Sequence, residues 1–236
     1  MNKINLFVNK TTLDNMLDLA EKTTTKELPG IVCCKADIEN DILIIRAKRF
    51  MEIKNVSPTP EIQFIPEIDK NTLGIINGCD TISLVHTHTY CGDPSIGDFS
   101  KFTSREYIYK EGQQPPLVIA TPDIVVTRCF FTFILLFPFS IIIDINGMGV
   151  KVESEKFVNK FAPSVGDNPN EIEDINRATQ YAILPLTTLK DAYEKFNIKW
   201  KWRFNPEEEL LNIDKNRDKI LSNLSSELIK KIRENS

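Results

Sequence analysis

Histidine is the most informative residue type in this chain. There are two, His86 and His88, and they stand at positions i and i+2. On an extended segment that spacing puts both imidazoles on one face. Asp98 follows ten residues after His88, within the run THTYCGDPSIGD. Two imidazoles and a carboxylate make the three-protein-ligand set of a catalytic zinc site, with the fourth position left for water. Each residue also has a plainer reading. His86 and His88 could be a strand-end pair on a loop, and Ser95-x-x-Asp98, with Pro94 before it, is a capping-box-like helix start. The two readings are compatible, because the first turn of a helix is a rigid platform for a ligand. Cys91, in the intervening loop, is a soft donor that could compete for metal. It is read as a bystander, since three ligands already exist. Asp80 and Asp93 are read as turn residues, and Glu27 on its own as a turn charge ahead of a strand.

These residues need elements to hold them. Ile82–His86 (ISLVH) reads as a short apolar strand running directly into the histidines. Residues 4–8 (INLFV) read as an opening strand, and Thr11 or Thr12 as the cap of a helix over Leu13–Lys22. Leu28–Cys34 and Asp41–Lys48 read as strands joined through a turn at Glu39–Asp41. A further strand is expected at Glu61–Ile65, a helix at about Ile96–Ser104, and strands at Leu117–Ala120, Ile124–Cys129 and Met148–Val152. Beyond a polar stretch at Pro163–Asn170 the pattern becomes helical, at Glu171–Tyr181, Leu186–Phe196 and from Pro206 to Glu234. Trp200 and Trp202, alternating with basic residues, suggest an edge strand.

Composition bounds the rest. The 236 residues are 42% apolar, enough for a real core, so general disorder is excluded. The 33 acidic and 29 basic residues leave a net charge of −4, and no nucleic-acid partner is expected. Five cysteines, an odd number with no CxxC pair, argue against a disulfide framework. With no signal-peptide pattern at the N-terminus, the expected location is cytoplasmic. Phe130–Ile143 (FFTFILLFPFSIII) is the most apolar stretch. As a helix it would span ~21 Å against ~30 Å of bilayer core. Pro138 and the β-branched and aromatic residues on both sides of it favour two buried strands, so membrane insertion is not expected. An exposed apolar patch for a partner is the other reading of this segment. The C-terminal helices offer a dimer or partner surface, with packing back on the domain as the plainer reading.

The run His86-x-His88, then Ser95-x-x-Asp98, resembles the signature of the JAMM (MPN+) zinc metalloproteases, particularly their prokaryotic members. That family's pattern is H-x-H, a loop, then S-x-x-D, with a glutamate on an early strand. Glu27-Leu28-Pro29-Gly30 is similar to the family's E-x-x-G, and likewise follows a predicted helix and opens a strand. The resemblance spans about Leu13 to Phe99 and fades through about Val158. Thr89 departs from the usual proline after the second histidine. The spacer Thr89–Pro94 has six residues where the family usually has seven.

The resemblance implies an α/β fold: a mixed, curved β-sheet flanked by helices, with a cytidine-deaminase-like core. Residues 1–162 would form the JAMM/MPN-like domain and residues 171–236 a mostly helical C-terminal extension. It implies a zinc-dependent isopeptidase or peptidase that removes a ubiquitin-like or sulfur-carrier protein from its conjugate. His86, His88 and Asp98 would hold Zn2+, Glu27 would act as general base, and Ser95 would donate a hydrogen bond to the oxyanion. The alternatives are a catalytically weak or inactive MPN-type scaffold or binding module, and a DNA-repair-associated JAMM-like protein. The deaminase signature H-x-E…P-C-x-x-C is absent.

Overall fold

The computed structural model describes residues 3–23, 25–60, 63–89, 94, 98, 121–156 and 179–212. The opening strand β1 (Lys3–Asn9) alternates buried Ile4, Leu6 and Val8 with more exposed residues. It feeds directly into α1 (Lys10–Lys22), which begins earlier than its apolar periodicity suggests. Asn9, rather than Thr11 or Thr12, caps that helix, its side chain accepting from Thr12 N at 2.8 Å. Leu13, Met16, Leu17 and Ala20 form the buried stripe. Fully burying a leucine or methionine of this stripe stabilises the fold by ~1.5–3 kcal/mol.

After α1 come β2 (Pro29–Glu39) and β3 (Ile42–Glu52), paired antiparallel through a two-residue turn. Asn40 and Asp41 both take positive φ there, as the tightest right-twisted hairpins require. Then follow α2 (Lys70–Ile76) and β4 (Thr81–Thr87), the strand expected to carry the histidines. Where a strand was expected at Glu61–Ile65, residues 63–65 carry none, and an isolated bridge joins Asn55 to Pro66. Three prolines in this segment withhold the amide donors a ladder needs.

Phe130–Ile143 becomes β6 (Phe130–Leu135) and β7 (Phe139–Ile145), either side of the turn containing Pro138. Phe131, Phe133 and Phe139 are fully buried, so this segment is core, and Phe137 in its turn is exposed. Among the described residues no helix is long and apolar enough to cross a membrane. β5 (Asp123–Val126) precedes β6, and β8 (Met148–Glu153) and β9 (Glu155–Lys156) follow β7. The C-terminal region contributes β10 (Gln180–Pro185), so Tyr181 is in a strand and not at the end of a helix. α3 (Leu186–Lys195) matches the expected helix, and residues 206–212 are helical. Trp200 and Trp202 lie outside any strand and pack edge to face instead. The expected elements at Ile96–Ser104 (Asp98 apart) and Leu117–Ala120, and the linker at Pro163–Asn170, lie outside the described residues.

The strands form a mixed sheet in the order β8-β7-β1-β3-β2-β4-β5-β6-β10-β9. β1 runs parallel to both β3 and β7, and β4 parallel to β5, with antiparallel pairs between. β10 also touches β7 and β8 from the far end of the order, so the sheet curls almost into a barrel. α1 packs on β1, β3, β4, β5 and β7, inside that curl. A smaller apolar cluster of Ile31, Ile53, Ile76, Cys79, Ile82 and Leu84 joins α2 to β2 and β4. The chain is thus α/β with a large curved sheet, as expected.

The cysteines correct the sequence reading. Cys33 of β2 and Cys79, at the entry to β4, form a disulfide with Cα atoms 5.4 Å apart. Cys129 is disulfide-bonded as well, and Cys34 is a buried free thiol that burial pushes up to about 12. An odd count excludes complete pairing only, and the pairing of β2 with β4 brings distant cysteines together. Cysteine usage therefore gives no support to a reducing compartment.

Replacing Cys33 and Cys79 together by serine is expected to lower stability by ~2–4 kcal/mol, because the bond closes a long loop. Paired denaturant titrations of the oxidised protein and the variant measure this. Gly30 supplies a second test. A Cβ there would sit 2.4 Å from Phe50 Cε2 and 3.0 Å from the Met51 carbonyl oxygen. Gly30→Ala is expected to cost ~1–3 kcal/mol as overpacking. Part of that cost should disappear in a Phe50→Ala background, which a double-mutant cycle reads directly.

Candidate metal centre

Alternation along β4 sorts its side chains between two faces. Ile82 and Leu84, on the face His86 shares, join the α2 cluster, while Val85, one residue out of phase, joins the α1 core. Every residue of β4 is buried, because strands lie on both sides and packing covers both faces. His88 lies one residue beyond the strand and its N–H donates to the Val126 carbonyl at 3.1 Å. That bond extends the β4–β5 pairing and keeps His88 in extended register with His86.

The three expected ligands meet. His86 Nε2 lies 3.3 Å from His88 Nε2. One carboxylate oxygen of Asp98 is 3.1 Å from His86 Nε2 and the other 3.3 Å from His88 Nε2. All three side chains are buried, and they form a donor group suited to a metal ion. A tetrahedral centre with bonds of ~2.0–2.1 Å separates neighbouring donors by about 3.3 Å. The spacing of the donor atoms, and their chemistry of two nitrogens and one oxygen, fit a small divalent cation. Burial would push the Asp98 carboxyl up, but the His86 and His88 imidazoles outweigh it and hold Asp98 well below the usual carboxylate range. The carboxylate is therefore ready to ligate at neutral pH.

Glu27 is buried just ahead of β2. Pro29 pairs with His86, and Thr87 N donates to the Leu28 carbonyl at 3.0 Å. Continuing that antiparallel register sets Glu27 opposite His88. Glu27 is outside the donor group formed by His86, His88 and Asp98. Its backbone is held from the other side: Glu27 N donates to the Pro60 carbonyl at 2.7 Å, and Asn55 Nδ2 donates to the Glu27 carbonyl at 2.9 Å. Pro94 is buried, and Ser95, Cys91 and Asp93 lie outside the described residues. Asp80 accepts from Lys35 Nζ at 2.9 Å and from Ala36 N at 3.1 Å, a turn role away from the metal ligands.

Three supporting residues escaped the sequence reading. Phe64 stacks on His86 with ring centroids 4.4 Å apart and 21° between planes, shielding one face of that ligand. Asn55 also ties Ser57 N and Ile65 N to its Oδ1, at 2.9 and 3.0 Å, and so shapes the segment that carries Phe64. Thr87 is fully buried between the histidines in sequence, and its Oγ1 accepts from Leu28 N at 2.9 Å. Thr87 stands in plain view between the two histidines, and strand alternation alone sends its side chain to the opposite face. Nothing local marks Phe64 or Asn55, which come from another segment.

The chain matches no protein-family model and no curated protein. Among solved structures it is similar to the solution structure of protein DSY2949 from Desulfitobacterium hafniense, with 15% identity and a TM-score of 0.32. The match covers 63% of this chain and 82% of that one.

Protein purified without added metal, or reconstituted with a divalent cation, is expected to carry about one metal ion per chain. Asp98→Ala and His88→Ala should each abolish that content, as read by inductively coupled plasma mass spectrometry. Retention of metal by both variants would place the ion elsewhere.

Proposed function

We propose that this protein is a zinc-dependent peptidase or isopeptidase, hydrolysing an amide bond that joins a ubiquitin-like or sulfur-carrier protein to its conjugate. The observation that carries the reading is the closure of His86, His88 and Asp98 into one buried donor triangle with 3.1–3.3 Å edges. The substrate class rests on the resemblance of E-x-x-G, H-x-H and S-x-x-D to the JAMM metalloproteases. Bound by these three residues, zinc supplies Lewis acidity, making water nucleophilic near pH 7 and polarising an amide carbonyl.

The chain's own groups do the remaining work. His86 and His88 would offer Nε2 and Asp98 a carboxylate oxygen, a three-residue ligand set that leaves room for water or substrate. Glu27, buried opposite His88 and outside the ligand set, takes the proton of the attacking water. It then delivers that proton to the nitrogen that leaves as an amine, while the carbonyl carbon keeps the water oxygen as a carboxylic acid. Ser95, the first residue of S-x-x-D, donates a hydrogen bond to the oxyanion developing on the substrate, a contact worth ~3 kcal/mol in other hydrolases. Phe64 covers His86 and keeps that side of the site dry.

A second reading, a scaffold module that keeps the site without turnover, is favoured by the six-residue spacer Thr89–Pro94. Glu27→Gln separates the two. It is expected to keep its zinc and to lose at least ~100-fold in the rate of cleavage of a ubiquitin-like conjugate. Loss of zinc in this variant would remove Glu27 from the general-base role. A wild-type protein that holds zinc and cleaves no conjugate or peptide amide would leave the scaffold reading.

A further inference from the structure

A chain of polar contacts runs from the far side of β4 to the C-terminal segment. Thr87 Oγ1, besides accepting from Leu28 N, lies 2.6 Å from Thr23 Oγ1. Thr23 is buried at the C-cap of α1. Its carbonyl accepts from Arg128 Nη2 at 2.7 Å. Arg128 stands in the turn between β5 and β6, two residues beyond Val126, whose carbonyl receives the His88 N–H. On its outer side the guanidinium lies 4.1 Å from the ring centroid of Phe204. Phe204 ends an edge-to-face run through Trp202 and Trp200 to Tyr193 of α3.

We propose that Arg128 is a positioning residue for the metal centre. Clamped between the Phe204 ring and the Thr23 carbonyl, it couples the docking of residues 200–204 to the orientation of His86, His88 and Glu27. The proposal rests on the metal reading of that site. Guanidinium suits the place because its plane covers an aromatic ring while its edge donates to a carbonyl. Thr87 transmits the constraint, because its neighbours on either side are the two ligands and its hydroxyl receives the amide next to Glu27. A displacement of the α1 terminus therefore moves both walls of the site together. The arrangement also gives the chain beyond α3 a part in the site, through packing alone.

The test uses the full chain. His86 and His88 are the only histidines, so the imidazole 1H–15N correlations of metal-free protein report these two residues alone. Arg128→Ala is expected to shift both sets of signals and to weaken cobalt(II) binding by up to ~10-fold, the lower end of what losing a direct partner of a metal ligand does. Phe204→Ala should act in the same direction and less strongly, and Arg128→Lys should restore part of the effect. Tyr193→Phe, which removes only the hydroxyl bound to Asp14, should leave the imidazole signals unmoved while lowering stability. If Arg128→Ala does not fold, Arg128→Lys and Phe204→Ala decide. Wild-type imidazole signals and cobalt affinity in variants that melt earlier would overturn the proposal and leave Arg128 a structural residue. Failure of the wild-type protein to bind cobalt or zinc would instead sink the metal reading, and the imidazole signals would still judge the positioning role.

Discussion

The rest of the site depends on the alternation of side chains along a β4 that is buried on both faces. Because the strand period is two, His86 and His88 must share a face and Thr87 must take the other. Burial then makes each polar group need a partner, since an unmet donor or acceptor in such a place costs ~1–3 kcal/mol. The imidazoles meet Asp98 and each other, and the threonine meets Thr23 and the Leu28 amide. One short strand thereby binds the face of the candidate metal donors, the end of α1 and the start of β2 to a common geometry.

The support around that strand comes from every direction. β2 supplies the antiparallel register that sets Glu27 against His88, and β5 holds His88 in line through the Val126 carbonyl. The irregular segment after β3 adds the Phe64 ring and the Asn55 clasp on the Glu27 backbone. Its prolines keep it from joining the sheet, so its polar groups are turned to bracing the site instead. The disulfide between Cys33 and Cys79 ties β2 to the approach of β4, adding a covalent restraint to the two strands whose ends hold Glu27 and the histidines.

Much of this was legible because it is local. The apolar alternation of residues 4–8, the helical stripe of α1, and the proline inside Phe130–Ile143 each specify an element through a few neighbouring residues. The two histidines at i and i+2 were readable for the same reason. Where the reading went astray, distant residues decided. Asn9 outcompeted Thr11 and Thr12 as a cap because β1 runs without a break into α1. Tyr181 joined a strand because β6 offered an open edge. Trp200 and Trp202 form no strand and stack edge to face with Tyr193 and Phe204 instead.

By itself the sequence determined the chemistry on offer: which residues could ligate, which could carry a proton, and that a buried strand would present two imidazoles side by side. Residue type and strand period suffice for that, as neither depends on the rest of the chain. Only the tertiary structure decided that the Asp98 carboxylate closes on the histidines at 3.1–3.3 Å, that Cys33 finds Cys79, and that Arg128 lies between Phe204 and Thr23. Those contacts join residues far apart along the chain, and their distances follow from how a curled ten-stranded sheet packs around α1, which no local pattern encodes.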